Sequence, residues 1–134
     1  MQSTLNPYLN FSGKTREAME FYKSIFGGEL NISTFGDQHV PNAPADGVMH
    51  AQLVVGGKSL LMGSDGMDDN SFHGFSLSLS GEDADELRGY FQKLSEDGHV
   101  TKQLEKESWG DEFGMVTDKF GITWMVNISA KHTS

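Results

Sequence analysis

Short runs of alternating apolar and polar residues lead into stretches where apolar residues recur at helical spacing. Leu9-Asn10-Phe11 alternates, and Ala18, Phe21, Tyr22 and Ile25 then follow near i, i+3 and i+7. Leu77-Ser78-Leu79 alternates in the same way, and Leu87, Tyr90, Phe91 and Leu94 repeat the helical part. The offset between the copies stays at 68 to 69 residues. A strand that leads into an amphipathic helix therefore occurs twice in 134 residues, which predicts one domain built from two similar units. A groove between duplicated halves is a natural place for a ligand.

The pattern predicts a strand over Leu5–Phe11 and a helix over Lys14–Phe26, stopped by Gly27-Gly28 in the C-cap role that glycine fills. A second strand follows over Glu29–Phe35, then a loop over Gly36–Gly47 that holds Pro41, Asn42 and Pro44. Val48–Val55 and Lys58–Gly63 read as strands joined by a tight turn at Gly56-Gly57. Ser64–Asn70 is acidic and aperiodic, a linker between the halves. In the second half Phe75–Leu79 reads as a strand, and Ser80 with Asp83 opens a helix that runs to about Ser95. His99–Leu104, Phe113–Asp118 and Thr123–Ile128 complete the set, so each half reads βαβββ. Module one spans about residues 4–64, the linker 65–72 and module two 73–130.

Alternation also assigns faces. Leu9 and Phe11 suit a helix-covered core, as do Met49, Ala51, Leu53 and Val55, then Phe75, Leu77 and Leu79, and finally Trp124 and Val126. The opposite face then carries Asn6, Tyr8, Asn10, His50, Gln52, Gly74, Ser76, Ser78, Thr123, Met125 and Asn127. Such a semi-polar face suits a ligand cavity curled within the sheet, or a solvated outer face of the kind antiparallel sheets often have.

Charge and composition narrow the classes. A net charge of −9 with scattered basic residues argues against nucleic-acid binding. Zero cysteines exclude disulfides, thiolate metal sites and a Cys nucleophile, and fit a reducing compartment. No basic-then-apolar leader opens the chain, and no apolar run approaches the ~18 residues of a membrane span, so the expectation is a cytoplasmic protein with no membrane partner.

The residues resemble a known family. A doubled βαβββ unit is the plan of the vicinal oxygen chelate superfamily, which includes glyoxalase I, extradiol dioxygenases and bleomycin-resistance proteins. The chain is most similar to its PhnB-like branch. The matching stretches are Tyr8-Leu9-Asn10-Phe11, Glu17 to Tyr22, Phe26-Gly27-Gly28 and Val48-Met49-His50-Ala51. They continue in Leu61-Met62 through Ser64-Asp65, Trp109-Gly110 through Phe113-Gly114, and Asp118 to Gly121 with Trp124-Met125. The resemblance implies an α+β fold in which two modules form a cupped mixed sheet, the glyoxalase/bleomycin-resistance fold, with helices outside, commonly in a homodimer.

Metal-using members of the superfamily place His or Glu at four equivalent points. Carried over, these fall on Asn6, on Leu61 or Met62, on Gly74 and on Met125. None is a ligand that a hard or borderline divalent ion prefers. The resemblance thus implies a chelate site that has lost its ligands, and with it the Lewis acid of the metal-dependent reactions. Members of this branch often carry the label of a demethylubiquinone methyltransferase, yet no glycine-rich strand-to-helix turn of a doubly wound cofactor domain is present. Gly13-Lys14-Thr15 and Gly57-Lys58-Ser59 lack the leading glycine of a phosphate loop, and no serine sits in a nucleophile elbow.

Among individual residues His50 stands out, placed in a strand beside Gln52 on the cavity face. An imidazole there could act as a general base or a hydrogen-bond donor, or could simply anchor a neighbouring strand. His39 and His99 read as surface residues, His132 falls in the C-terminal tail, and His73 adjoins the strand that carries Gly74, within reach of the cup. Asp65, Asp68 and Asp69 lack calcium-loop spacing and read as a solvated linker. Trp109 could close over a planar ligand or pack between the modules, and Met49, Met62 and Met125 offer adaptable apolar lining. The resulting expectation is a small-molecule binding protein without a cofactor, its site drawn from Asn6, Tyr8, His50, Gln52, Met62, Trp109 and Met125, with His50 the candidate catalytic group. The alternative is a metal-dependent lyase, isomerase or dioxygenase that holds a divalent metal at a non-standard set such as His50, His73 and Asp65.

Overall fold

The structure is a computed structural model that describes residues 5–65, 72 and 74–130. The chain divides into two compact units, with the boundary after Asn70. The first holds β1 (Tyr8–Asn10), α1 (Thr15–Phe26), β2 (Glu29–Thr34), β3 (Val48–Val55) and β4 (Lys58–Ser64). The second holds β5 (Leu77–Gly81), α2 (Ala84–Ser95), β6 (His99–Lys106), β7 (Glu112–Thr117) and β8 (Thr123–Ile128). Each unit is a four-stranded mixed sheet, in the orders β1-β4-β3-β2 and β5-β8-β7-β6. In both, the first strand pairs parallel with the last, and the other pairings are antiparallel. The expected α+β fold with a doubled βαβββ unit is therefore present. The two helices begin at Thr15 and Ala84, 69 positions apart.

Helix α1 turns Thr15, Ala18, Met19, Tyr22 and Ile25 onto the sheet. Met19, rather than the expected Phe21, takes the core position, because the buried stripe runs i, i+3, i+4, i+7 from Thr15. Gly27, at φ 76°, closes the helix with its N–H on the Lys23 carbonyl at 2.8 Å. Helix α2 buries Leu87, Phe91 and Leu94, and its cap is Asp83, whose carboxylate accepts the Glu86 N–H at 3.1 Å. Ser80 lies in β5 and takes no part in that cap. Each fully buried apolar side chain contributes about 1.5–3 kcal/mol of transfer free energy.

Several expected bounds and faces shift for local reasons. Strand β1 covers only three residues: Pro7 has no N–H and enters the ladder through its carbonyl alone, which accepts the Met62 N–H at 2.9 Å. Leu5, expected in that strand, is 94% exposed. In β3 the register with β2 slips between Ser33 and Thr34, so Val48 rather than Met49 turns inward beside Ala51 and Leu53. A second slip between Leu53 and Val54 leaves Val55 half-buried rather than in the core. Phe75 precedes β5, is 45% exposed and packs edge-on against Phe72. Only Leu77 and Leu79 of that expected trio lie on the helix side, both half-buried. Trp124 and Val126 point inward as expected, joined by Ile122 and Ile128. No helix among the described residues is long and apolar enough to cross a membrane.

Candidate functional site

The face of the first sheet away from α1 carries the candidate residues. Its strand register sets Tyr8 beside Met62, Met62 beside Gln52, and Gln52 beside Asn31, one row across all four strands. The neighbouring row includes His50 beside Ser33 and Asn10 beside Ser64. Opposite this face Leu9, Ala51, Leu53 and Leu61 are buried against the helix, so the alternation that builds the core also assembles the polar face. Tyr8 reaches over β4 to His50. Its hydroxyl lies 3.2 Å from Nδ1, and the two rings sit 5.7 Å apart with a 34° tilt. Four sequence-predicted residues, Tyr8, His50, Gln52 and Met62, thus share one face. Asn6 precedes β1 on the same chain segment.

In the second unit Met125 lies on the corresponding open face, between Ser78 on β5 and Met115 on β7. The Ser76 hydroxyl donates to its thioether at 3.3 Å. Lys102, on β6 beside Met115, is paired with Glu107 and with Glu105 at 3.5 Å, and the hydrogen bond to Glu107 raises its pKa. Trp109 stands in the turn before β7, where the Gly110 N–H meets the Glu107 carbonyl at 3.0 Å, and is 63% exposed. His99 opens β6 and is exposed, and His39 lies in the β2–β3 loop. His73, Asp68, Asp69, Asn70 and His132 lie outside the described residues.

Asp65 is a correction to the solvated-linker reading. Its Oδ1 accepts the Thr15 N–H at 3.0 Å and its Oδ2 accepts the Val48 N–H at 2.9 Å. Lys14, at the N-cap of α1, makes no side-chain cap bond, so the acid from beyond β4 does that work. Burial, the largest single influence, pushes the carboxyl up. The Thr15 hydroxyl and the N–H groups of Val48, Thr15 and Gly13 together outweigh it and hold the group below its ordinary value. The backbone donors are the firmer part of that set, since the Thr15 hydroxyl makes no hydrogen bond of good geometry. Asp65 therefore sits on the helix-covered side of the sheet with both oxygens engaged, while His50 is on the other side. The structure does not bring these two together.

An open cleft of about 450 Å³ lies beside Asp65, lined among others by Gly13, Arg16, Phe35, Pro44 and Asp46. Sequence reading missed it, since it forms where the β2–β3 loop approaches the start of α1. The Asp65 carboxylate on its wall is already engaged by backbone N–H groups. On the other face of the sheet the side chains of Gln52 and Asn31 make no hydrogen bond to another described residue.

The four positions that hold the metal in metal-using relatives can be tested against this geometry. Register settles the second of them: Leu61 is 2% exposed against the helix side, and Met62 is the residue on the open face. Gly74 offers no side chain, Asn6 offers an amide, and Met125 offers a thioether already bonded by Ser76. Amide, thioether and glycine do not suit a hard or borderline divalent cation, so these residues do not fit the chelated metal. Among the described residues no three His, Cys, Asp or Glu cluster at metal-binding distance.

Residues 3–127 match the family model described as 3-demethylubiquinone-9 3-methyltransferase. Protein YjdN of Escherichia coli (strain K12) is 31% identical over 139 residues, which cover 92% of this chain and 94% of that protein. Protein PA1353 from Pseudomonas aeruginosa has a crystal structure similar to this one at TM-score 0.85 and 38% identity, over 97% of this chain and 100% of that chain. The PhnB protein from Bacillus cereus gives TM-score 0.78 at 27% identity, over 95% and 100% of the two chains. The fold alone recurs at 10% identity and TM-score 0.60 in a glyoxalase/bleomycin resistance protein/dioxygenase family enzyme from Burkholderia phytofirmans PsJN, over 92% of this chain and 94% of that chain. Doubled βαβββ topology, near full-length coverage and the family match lead to one conclusion: the chain belongs to the 3-demethylubiquinone-9 3-methyltransferase family, to which the similar PhnB protein is also assigned, and it has the fold of the glyoxalase/bleomycin-resistance proteins.

Proposed function

We propose that the protein binds a small organic molecule on the open face of its first sheet without the superfamily's chelated metal. The observation that carries this is the Tyr8–His50 hydrogen bond of 3.2 Å, which fixes an imidazole among Gln52, Asn31 and Met62 on a face the helix does not cover. Preorganised donors and acceptors over an adaptable thioether make a fitting floor for a small molecule. Asn6 extends the same edge. Met125, with Met115 and Ser78, gives the second unit a more apolar face of its own. His50 is the group best placed for proton transfer if the bound molecule reacts.

The family's description speaks of methyl transfer, and the proposal departs from it on topology. The strands that flank each helix, β1 with β2 and β5 with β6, sit at opposite edges of their sheets. A doubly wound cofactor crevice needs flanking strands that lie side by side. A homodimer and a cytoplasmic setting belong to the same reading. The resemblance implies the first, and a chain without Cys suits the second.

Native mass spectrometry of purified protein, with elemental analysis, tests the proposal. The expected result is an adduct of small-molecule mass that His50→Ala reduces in occupancy, with less than stoichiometric Zn, Ni, Mn or Fe. A stoichiometric, tightly held transition metal would sink it, and so would unchanged occupancy in His50→Ala.

A further inference from the structure

The open face of the first sheet carries hydrogen-bonding groups but no fixed charge in its two central rows. Tyr8, Met62, Gln52 and Asn31 form one row, and His50 beside Ser33 stands in the next. The nearest ionised residue on that face, Glu29, sits at the margin, opposite Val54. A carboxylate brought onto these rows would lose water and find no cation there, and an ammonium would find only Glu29 at the exposed margin, so both are costly. A carboxylate would also meet the field of a chain with net charge −9. An amide or ketone carbonyl would lose little, because donors await it. The side chains of Gln52 and Asn31 make no hydrogen bond to another described residue, and among those residues the His50 side chain is bonded only to Tyr8.

The direction of the Tyr8–His50 bond follows from the two groups. A phenol O–H is a stronger donor than a neutral imidazole N–H, and an imidazole nitrogen is a stronger acceptor than a phenol oxygen. Tyr8 therefore donates to Nδ1, and the ring proton resides on Nε2, free to donate outward. We propose that this face selects an uncharged ligand that presents an acceptor oxygen, and that Tyr8 is a positioning residue which holds His50 as an Nε2–H donor. The inference rests on the reading that this face is the binding surface.

Nitrogen-15 NMR of the histidine rings in full-length protein, combined with titrations of benzamide, benzoate and benzylammonium, tests both parts. In the wild type the His50 ring shows a protonated Nε2 and an unprotonated Nδ1, and Tyr8→Phe converts it to a mixture of tautomers. Benzamide shifts the His50 and Gln52 side-chain signals, and the two charged probes bind there about tenfold more weakly or less. A wild-type ring protonated on Nδ1, or a tautomer untouched by Tyr8→Phe, overturns the role of Tyr8. Charged probes that bind as tightly as benzamide overturn the selectivity but leave the face a binding surface. If none of the three moves these signals at millimolar concentration, the face itself is not the site.

Discussion

Asp65 and Thr15 stand fifty residues apart in sequence, yet the Asp65 carboxylate accepts the Thr15 N–H at 3.0 Å. The same carboxylate takes the Val48 N–H at 2.9 Å, so one side chain ties the start of α1 to the start of β3. Thr15 and Val48 are both buried, and both N–H groups lose this acceptor if the acid is removed. Asp65→Ala is expected to cost about 2–3 kcal/mol, the penalty of buried donors left unmade. Asp65→Asn recovers only part of this, since an amide nitrogen accepts nothing. Urea unfolding followed by circular dichroism gives both values. A loss indistinguishable from that of an ordinary surface substitution would refute the clamp.

The same group predicts a pH response. Its folded-state pKa lies below the ordinary value of 3.8, so it contributes stability above that value and loses it as pH falls through the depressed range. The wild type should therefore lose urea resistance more steeply than Asp65→Ala as pH is lowered below about 4. Parallel curves for the two proteins would contradict the assignment.

Trp124 and Trp109 should report opposite environments. Trp124 is 2% exposed and its Nε1–H donates to Asp118 Oδ2 at 2.8 Å, whereas Trp109 is 63% exposed. Trp109→Phe should leave a blue-shifted emission that acrylamide quenches poorly, and Trp124→Phe a red-shifted, readily quenched one. Trp124→Phe should also destabilise by about 1–3 kcal/mol, because the buried hydrogen bond from Nε1–H to Asp118 is lost.

Among the described glycines Gly28 is the least open to change. It adopts φ 87°, and a Cβ there would collide with the Val54 carbonyl oxygen and the Val55 side chain. Gly28→Ala joins a strained backbone to a clash with backbone, and is expected to cost about 3 kcal/mol or more. Gly56→Ala shares the positive φ at 60° but meets nothing within 4 Å, so it should cost distinctly less. Thermal melts of the two variants separate the clash from the strain.

What could be read from the chain was what depends on neighbours in sequence. Strand β8 occupies the expected Thr123–Ile128, because Trp124 and Val126 alternate without interruption and the turn ends at Gly121. Strand β3 was only half legible: alternation put Met49 inside, and the slip opposite Ser33 and Thr34 put Val48 there instead. A bulge is set by the partner strand and leaves no periodic trace. The same limit hid Asp65, which sits in an aperiodic acidic stretch and is useful only through the amides of distant Thr15 and Val48. Of the candidate site, alternation placed Tyr8, His50 and Gln52 on a common face. That the Tyr8 hydroxyl meets Nδ1 across β4 required the register itself.

The parallel pairing of β1 with β4 has a consequence for how each unit comes into being. Leu9 lies against Gly63, and in the second unit Leu77 lies against Trp124. Neither first strand has its ladder partner until almost the whole unit has been synthesised. Loop closure of that span must come before the reward of pairing, so these are non-local contacts of the kind that slow folding. The α1 hairpin with β2 and β3 can gather earlier, but the polar face lacks Tyr8 until β4 is in place to receive it. The Tyr8–His50 contact therefore arrives with the last strand of the unit. A nascent chain that ends before Met62 holds Tyr8 and His50 but lacks the strand that sets them side by side.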